Sequence, residues 1–157
     1  VVARVVYLGG PIDGTDAAEQ DWREVVKEAL ELEDVGYYDP LAANIGEIDP
    51  LVIVRRNMEA LDTCGMALFC FPTPGQFGFG SPVELWQVSR EKPTVVALLP
   101  RPIYPPELSA LVMQRPPVYL QYLELMSDTK VVHSLSAAIS VTRDLIYANT
   151  NSTPDGA

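Results

Sequence analysis

Short, unbroken apolar runs alternate along this chain with longer stretches in which apolar residues recur every three or four positions. Residues 3–8 (ARVVYL) are β-branched and apolar and stop at Gly9-Gly10-Pro11, the pattern of a buried strand that delivers its end to a loop. Over 16–33 the positions Ala18, Trp22, Val25, Val26, Ala29 and Leu30 fall at helical spacing with acids between them, which predicts an amphipathic helix covering a sheet. Residues 35–38 predict a second short strand, ending at Asp39-Pro40, with a loop over 41–48. Asp49 then caps a helix that has Pro50 in its first turn and runs to about Leu61. The uniformly apolar run 66–71 (MALFCF) reads as a buried strand halted by Pro72-Thr73-Pro74-Gly75.

A glycine-rich loop over 75–80 follows. Ser81-Pro82-Val83-Glu84 combines a capping serine, a proline in the first turn and a glutamate three residues after the cap, so a helix is predicted from there to about Arg90. Residues 94–99 give a fourth strand. Continuous apolar strands alternating with helices specify a parallel sheet with helices on its faces, an α/β sandwich. Beyond Pro100 the pattern predicts a proline-rich connection, a short helix over 107–114, a strand near Val118 and a last helix over 134–148. The folded domain is expected over 1–148, with the polar tail 149–157 mobile.

Composition changes this picture in three ways. The chain has 157 residues, one domain's worth, and opens on valine, which predicts that an initiator methionine or more precedes it. With 11 basic and 21 acidic residues its net charge is −10, which opposes binding to nucleic-acid polymers. Two cysteines, Cys64 and Cys70, have neither zinc-site spacing nor the density of a disulfide scaffold, and no apolar run is long enough to span a bilayer. A cytoplasmic protein without metal or membrane association is expected.

In an open parallel sheet, ligands bind beyond the carboxyl ends of the strands, which directs attention to the loops 9–15, 39–48 and 72–81. Gly9, Gly10 and Gly14 do not fit a dinucleotide fingerprint, and the chain has no Walker loop or nucleophile elbow. Its one histidine, His133, reads as a surface residue at a helix entry. Glu84 has two readings: a structural capping box, or a carboxylate kept ionised at a helix N-terminus and able to attack an electrophilic sugar carbon.

The segment Tyr7-Leu8-Gly9-Gly10-Pro11-Ile12, the Arg56-Asn57 helix before an apolar strand, and the turn Gly78-Phe79-Gly80-Ser81-Pro82-Val83-Glu84-Leu85 together resemble the nucleoside 2-deoxyribosyltransferase family. Relatives of that family include nucleoside 5'-monophosphate N-glycosidases. The likeness spans residues 3–100 in order and spacing. It implies a flavodoxin-like three-layer sandwich with a mainly parallel five-stranded sheet. It also implies that Glu84 attacks the anomeric carbon of a 2'-deoxynucleoside to form a covalent deoxyribosyl-enzyme, with Tyr7 positioning the nucleophile. On the residues alone, Tyr7 is equally a strand-end aromatic packed on the core.

The same likeness assigns substrate contacts to Gly9, Gly10, Pro11 and Ile12, where the backbone approaches sugar or base, and to Asp13 beside them. Asn44 is read as a base-edge partner or an ordinary turn residue. Gly80 and Ser81 match the place where monophosphate-handling relatives hold a 5'-phosphate; Ser81 is also the expected N-cap. Phe77 and Phe79 stack on a base or pack the core. The pattern departs from the family at Gly65, where transferases carry a base-protonating aspartate, and at Gln76; Asp62 is the substitute considered for the former.

The expected function is therefore exchange or cleavage of an N-glycosidic bond in nucleoside salvage, without a cofactor, by a homo-oligomer. Its partners are a small nucleoside or nucleotide and a free nucleobase. The alternatives are a (deoxy)nucleoside 5'-monophosphate N-glycosidase and a non-catalytic nucleotide-binding module on the same scaffold.

Overall fold

A computed structural model describes residues 5–12, 15–73, 78, 80–99, 123–125 and 128–151. Five parallel strands, β1 (Val5–Gly9), β2 (Gly36–Tyr38), β3 (Met66–Phe71), β4 (Thr94–Leu98) and β5 (Thr129–Val132), form one sheet in the order β2-β1-β3-β4-β5. The helices among the described residues include α1 (Ala17–Glu31), α2 (Pro40–Ala43), α3 (Pro50–Thr63), α4 (Gly80–Ser89) and α5 (Leu135–Asn151). This strand order is the flavodoxin-like one. The chain steps from β1 to one side and returns to the other, which leaves a switch point between β1 and β3.

The continuous apolar runs split by the two-residue period of a strand. Val6, Leu8, Met66, Leu68, Cys70, Val95 and Ala97 face one way and pack against Trp22, Val26 and Leu30 of α1 and Ala138 of α5. Tyr7, Ala67, Phe69, Phe71 and Val96 face the other, against Leu61 of α3 and Leu85 and Val88 of α4. Helices on both faces make three layers. Capping fixes where the helices begin: Asp16 and Glu19 close a reciprocal capping box at α1, and Asp39 and Asp49 cap the proline-initiated α2 and α3.

Three sequence expectations are corrected, and one strand is found that the pattern did not predict. The loop expected over 41–48 begins with the short helix α2, because Asp39-Pro40 is itself a helix start. The fifth strand is Thr129–Val132, a four-residue run too short and too polar at Lys130 to stand out from the pattern. Helix α4 begins at Gly80, so Ser81 lies in its first turn rather than at its cap. Helix α5 continues to Asn151, past the expected boundary at 148. The helix over 107–114 and the strand near Val118 fall outside the described residues. Among the described residues, no helix is long and apolar enough to cross a membrane.

Candidate functional site

Tyr7 is the third residue of β1 and is fully buried. Its ring stacks on that of its register partner Tyr38, with centroids 5.6 Å apart and planes 15° from parallel, and it tilts against Phe69 at 6.0 Å. The phenol oxygen is sealed from solvent and closes no hydrogen bond of ordinary geometry among the described residues. Burial, and then the neighbouring Glu84 charge, push its pKa far above the ordinary range. Tyr7 is therefore a neutral donor at any working pH, never a base.

Glu84 lies one turn inside α4, half-buried, at the carboxyl end of the sheet. Asn57 Nδ2 donates to its Oε1 at 3.2 Å. A carboxylate only accepts, so Asn57 must turn its amide nitrogen toward Glu84 and its carbonyl the other way. That carbonyl accepts from Tyr38 Oη at 3.2 Å and from Asn44 Nδ2 at 3.0 Å, while Asn44 Nδ2 also donates to the Pro40 carbonyl at 2.8 Å. The Tyr38 and Asn44 donations to Asn57, and that of Asn57 to Glu84, thus point their protons toward the Glu84 carboxylate. Burial raises the Glu84 carboxyl pKa; the Tyr7 hydroxyl, the Asn57 amide and the Arg23 charge oppose that rise, and burial prevails.

Arg23 organises the strand ends from the opposite face. Fully buried, its Nη1 donates to the Leu8 carbonyl at 2.7 Å and to Asp39 Oδ1 at 2.9 Å, and its Nη2 reaches the Gly10 carbonyl at 3.4 Å. Asp39 also meets Lys27 Nζ at 2.7 Å, so one ion cluster fastens the ends of β1 and β2 together. Gly10 has φ +153°, and a Cβ there would lie 2.5 Å from the Cys70 carbonyl oxygen, so no side chain fits between β1 and β3 at this point.

Pro11 is buried, and its carbonyl accepts from Gln20 Nε2 at 3.0 Å; the Thr15 hydroxyl donates to the carbonyl of half-buried Ile12. Across from them sits Gly78, φ +66°, where a Cβ would stand 3.4 Å from Pro11 Cβ and 3.9 Å from Ser81 Oγ. Gly78 therefore lies against the first loop. Gly80 and the buried Ser81 open α4 at this junction.

Of the residues singled out from sequence, Tyr7, Gly9, Gly10, Pro11, Ile12, Gly80, Ser81 and Glu84 come together at the carboxyl ends of β1 and β3, and Asn44 joins them through Asn57. Asp62 does not. It is exposed in the last turn of α3, at the amino end of the strands, with its carbonyl held by Lys92 Nζ at 2.8 Å. Gly65 lies at that same end, its N–H paired with the Val5 carbonyl at 3.0 Å. An acid at either position points away from Glu84, because a helix returning to the sheet reaches the next strand at its amino end. Asp13, Gln76, Phe77 and Phe79 lie outside the described residues.

Asn57, Tyr38 and Arg23 are the members that the sequence reading left without a role. Two of them carry a signal: Asn57 stands four residues before Leu61 on the buried stripe of α3, and Arg23 lies between Trp22 and Val26 on that of α1. A polar side chain on a buried stripe must find partners there. Among the described residues, no cluster of histidine, cysteine, aspartate and glutamate could hold a metal ion. What the arrangement offers chemically is one accessible carboxylate, oriented by an amide and backed by aromatic rings, above the switch point of the sheet.

No family model matches this chain, and no curated protein matches its sequence. Among solved structures it is similar to a conserved protein from Enterococcus faecalis V583, at 16% identity and a TM-score of 0.64, over 89% of this chain and 97% of that one. That likeness concerns the fold, an α/β sandwich of flavodoxin-like order.

Proposed function

We propose that this protein cleaves the N-glycosidic bond of a 2'-deoxynucleoside and passes the deoxyribosyl group to a second base, with Glu84 as the nucleophile. The observation that carries the reading is the Glu84 carboxylate itself: half-buried, held by Asn57 and set beside the neutral Tyr7 phenol. It is supported by the likeness of the Tyr7–Ile12 and Gly78–Leu85 segments to nucleoside 2-deoxyribosyltransferases.

In this reading, a Glu84 oxygen attacks C1' as the C1'–N bond breaks, and the base leaves with the bonding electron pair. No second carboxyl group joins the Glu84–Asn57 network among the described residues, so the departing base takes its proton from water. A ring nitrogen of the acceptor base then attacks C1' from the opposite side and gives its proton to the hydroxide left by the first step, and the ester C–O pair returns to Glu84. Two inversions give net retention. Asn57 is the donor that orients the carboxylate, Tyr7 stands beside it as a neutral phenol, and neither takes a proton. The reaction needs no cofactor, and the two buried free cysteines, Cys64 and Cys70, suit a reducing cytoplasm.

A second reading, hydrolysis of a nucleoside 5'-monophosphate, is favoured by one feature. Gly80 and Ser81 open the ten-residue helix α4 beside Gly78, where backbone N–H groups suit a phosphate. Chromatography of base release from deoxynucleosides and their 5'-monophosphates, with and without an acceptor base, separates the two. New nucleoside formed only with acceptor present is the expected result. Free base without exchange, and only from monophosphates, supports the hydrolase, while tight binding without turnover contradicts both.

A further inference from the structure

Helix α1 opens on a capping box whose glutamate does more than cap. Glu19 Oε2 accepts the Asp16 N–H at 2.9 Å, which is all that the box asks of this side chain. The other oxygen, Oε1, accepts the hydroxyl of Thr73, 54 residues further along the chain. Both residues are buried, each 6% exposed. A capping glutamate on a helix surface keeps its second oxygen in water, whereas here that oxygen is withdrawn from water and turned to a partner inside the protein. Thr73 stands two residues past the end of β3, on the connection that leads to Gly78, to the first turn of α4 and so to Glu84.

The next polar residues of α1 hold the other strand end at the site. Gln20 Nε2 donates to the Pro11 carbonyl at 3.0 Å and to the Thr15 hydroxyl, while Gln20 Oε1 accepts from Arg23 Nε at 2.8 Å. Arg23 in turn holds the Leu8 and Gly10 carbonyls. One helix therefore fastens two runs of chain: the run after β1, which follows Tyr7, and the run after β3, which precedes Glu84. The two runs also meet, since a Cβ at Gly78 would stand 3.4 Å from Pro11 Cβ. We infer that Glu19 is a positioning residue for Glu84: by holding Thr73 it fixes the run from β3 into α4, and with it the place of the carboxylate. This inference rests on the reading of Glu84 as the nucleophile. It adds that Glu84 is placed from the opposite face of the sheet, by α1, as well as from its own face by Asn57.

Thr73→Val deletes the hydroxyl at nearly constant shape, and Thr73→Ser keeps it. Each variant is read in two ways: base exchange from deoxynucleosides, resolved into kcat and KM, and amide hydrogen exchange followed by mass spectrometry. Thr73→Val is expected to lower kcat roughly tenfold with KM within about twofold, since a nucleophile misplaced by about 1 Å costs on the order of a hundredfold and one lost hydrogen bond moves the chain less. The amides of α4 should exchange several times faster in Thr73→Val, with those of α3 unchanged. Thr73→Ser should keep both readouts at their wild-type values, and adding Thr73→Val to Glu19→Ala should cost nothing further. A merely structural hydroxyl would lower the melting temperature and leave kcat in place. That result, or wild-type exchange in α4 of Thr73→Val, overturns the inference. If the wild type releases no base from any deoxynucleoside, the Glu84 reading fails on its own account, and exchange in α4 still decides whether Glu19 and Thr73 hold the start of that helix.

Discussion

Asn57 Nδ2 donates to Glu84 Oε1 at 3.2 Å, and through this contact the start of α4 is tied to α3 and, by way of Tyr38 and Asn44, to the end of β2. The carboxylate is therefore aimed by a neutral amide whose own orientation two further donors fix. Nothing in that chain needs to move for Glu84 to accept an electrophile, which is the preorganisation that catalysis by a nucleophile requires.

Asn57→Ala removes a donor to an ionised acceptor and leaves the Tyr38 hydroxyl and the Asn44 amide short of an acceptor. Loss of about 1.5–3 kcal/mol of charged hydrogen bonding corresponds to a roughly ten- to hundredfold fall in kcat. A merely structural role would leave the pH profile in place. Here the acid limb of kcat should move to higher pH, because Asn57 is one of the groups holding the carboxyl down against burial. Steady-state rates measured across the acid range decide the point.

Glu84→Gln should abolish turnover yet raise the melting temperature at neutral pH. Burial lifts the Glu84 pKa above its ordinary 4.5, so between that value and the raised one the folded state binds more protons than the unfolded state. Stability therefore falls as pH rises through that window, and the full penalty is present above it. The advantage of Glu84→Gln over the wild type should be largest near pH 7 and vanish as pH falls to about 4.5. A variant less stable than the wild type at neutral pH contradicts this account of the site.

Much of the fold was legible because buried parallel strands are continuous apolar runs, and β1, β3 and β4 are of that kind. Strand β5 was not, since at the sheet edge Lys130 faces solvent and the run is short. Glu84 stood out from its place at a helix start and Tyr7 from segment resemblance, whereas Asn57 needed three dimensions: its partners are 13, 19 and 27 residues away in sequence. Asp62 misled for a related reason. Proximity to β3 in sequence places it at the wrong end of that strand.

Arg23→Met leaves Asp39 buried without its fully buried cation, with Lys27 still beside the other carboxylate oxygen. Breaking a buried ion pair in this way costs about 3–5 kcal/mol, and here the Leu8 and Gly10 carbonyls also lose their donor. Urea unfolding should show a loss of that size. A loss well under 1 kcal/mol would mean that the cluster does not hold the strand ends.

Gly10→Ala and Gly46→Ala form a controlled pair. Both glycines have positive φ, +153° and +77°, but only at Gly10 would a Cβ meet anything within 4 Å, the Cys70 carbonyl oxygen at 2.5 Å. Gly46→Ala should cost about 1 kcal/mol of backbone strain, while Gly10→Ala should cost several times that and lower activity, because β1 must shift from β3 beneath the site. Equal destabilisation of the two in denaturant melts would remove the close approach of these strands as the reason for glycine.

The central claim is that Glu84 becomes covalently attached to the sugar. Intact-protein and peptide mass spectrometry after rapid acid quench, on wild type mixed with 2'-deoxynucleosides in the absence of acceptor base, tests it directly. The account predicts one added deoxyribosyl group, mapped to the peptide that holds Glu84, lost on addition of a free base and missing from Glu84→Gln. Base release by Glu84→Gln at the wild-type rate, or an adduct mapped elsewhere, would contradict it.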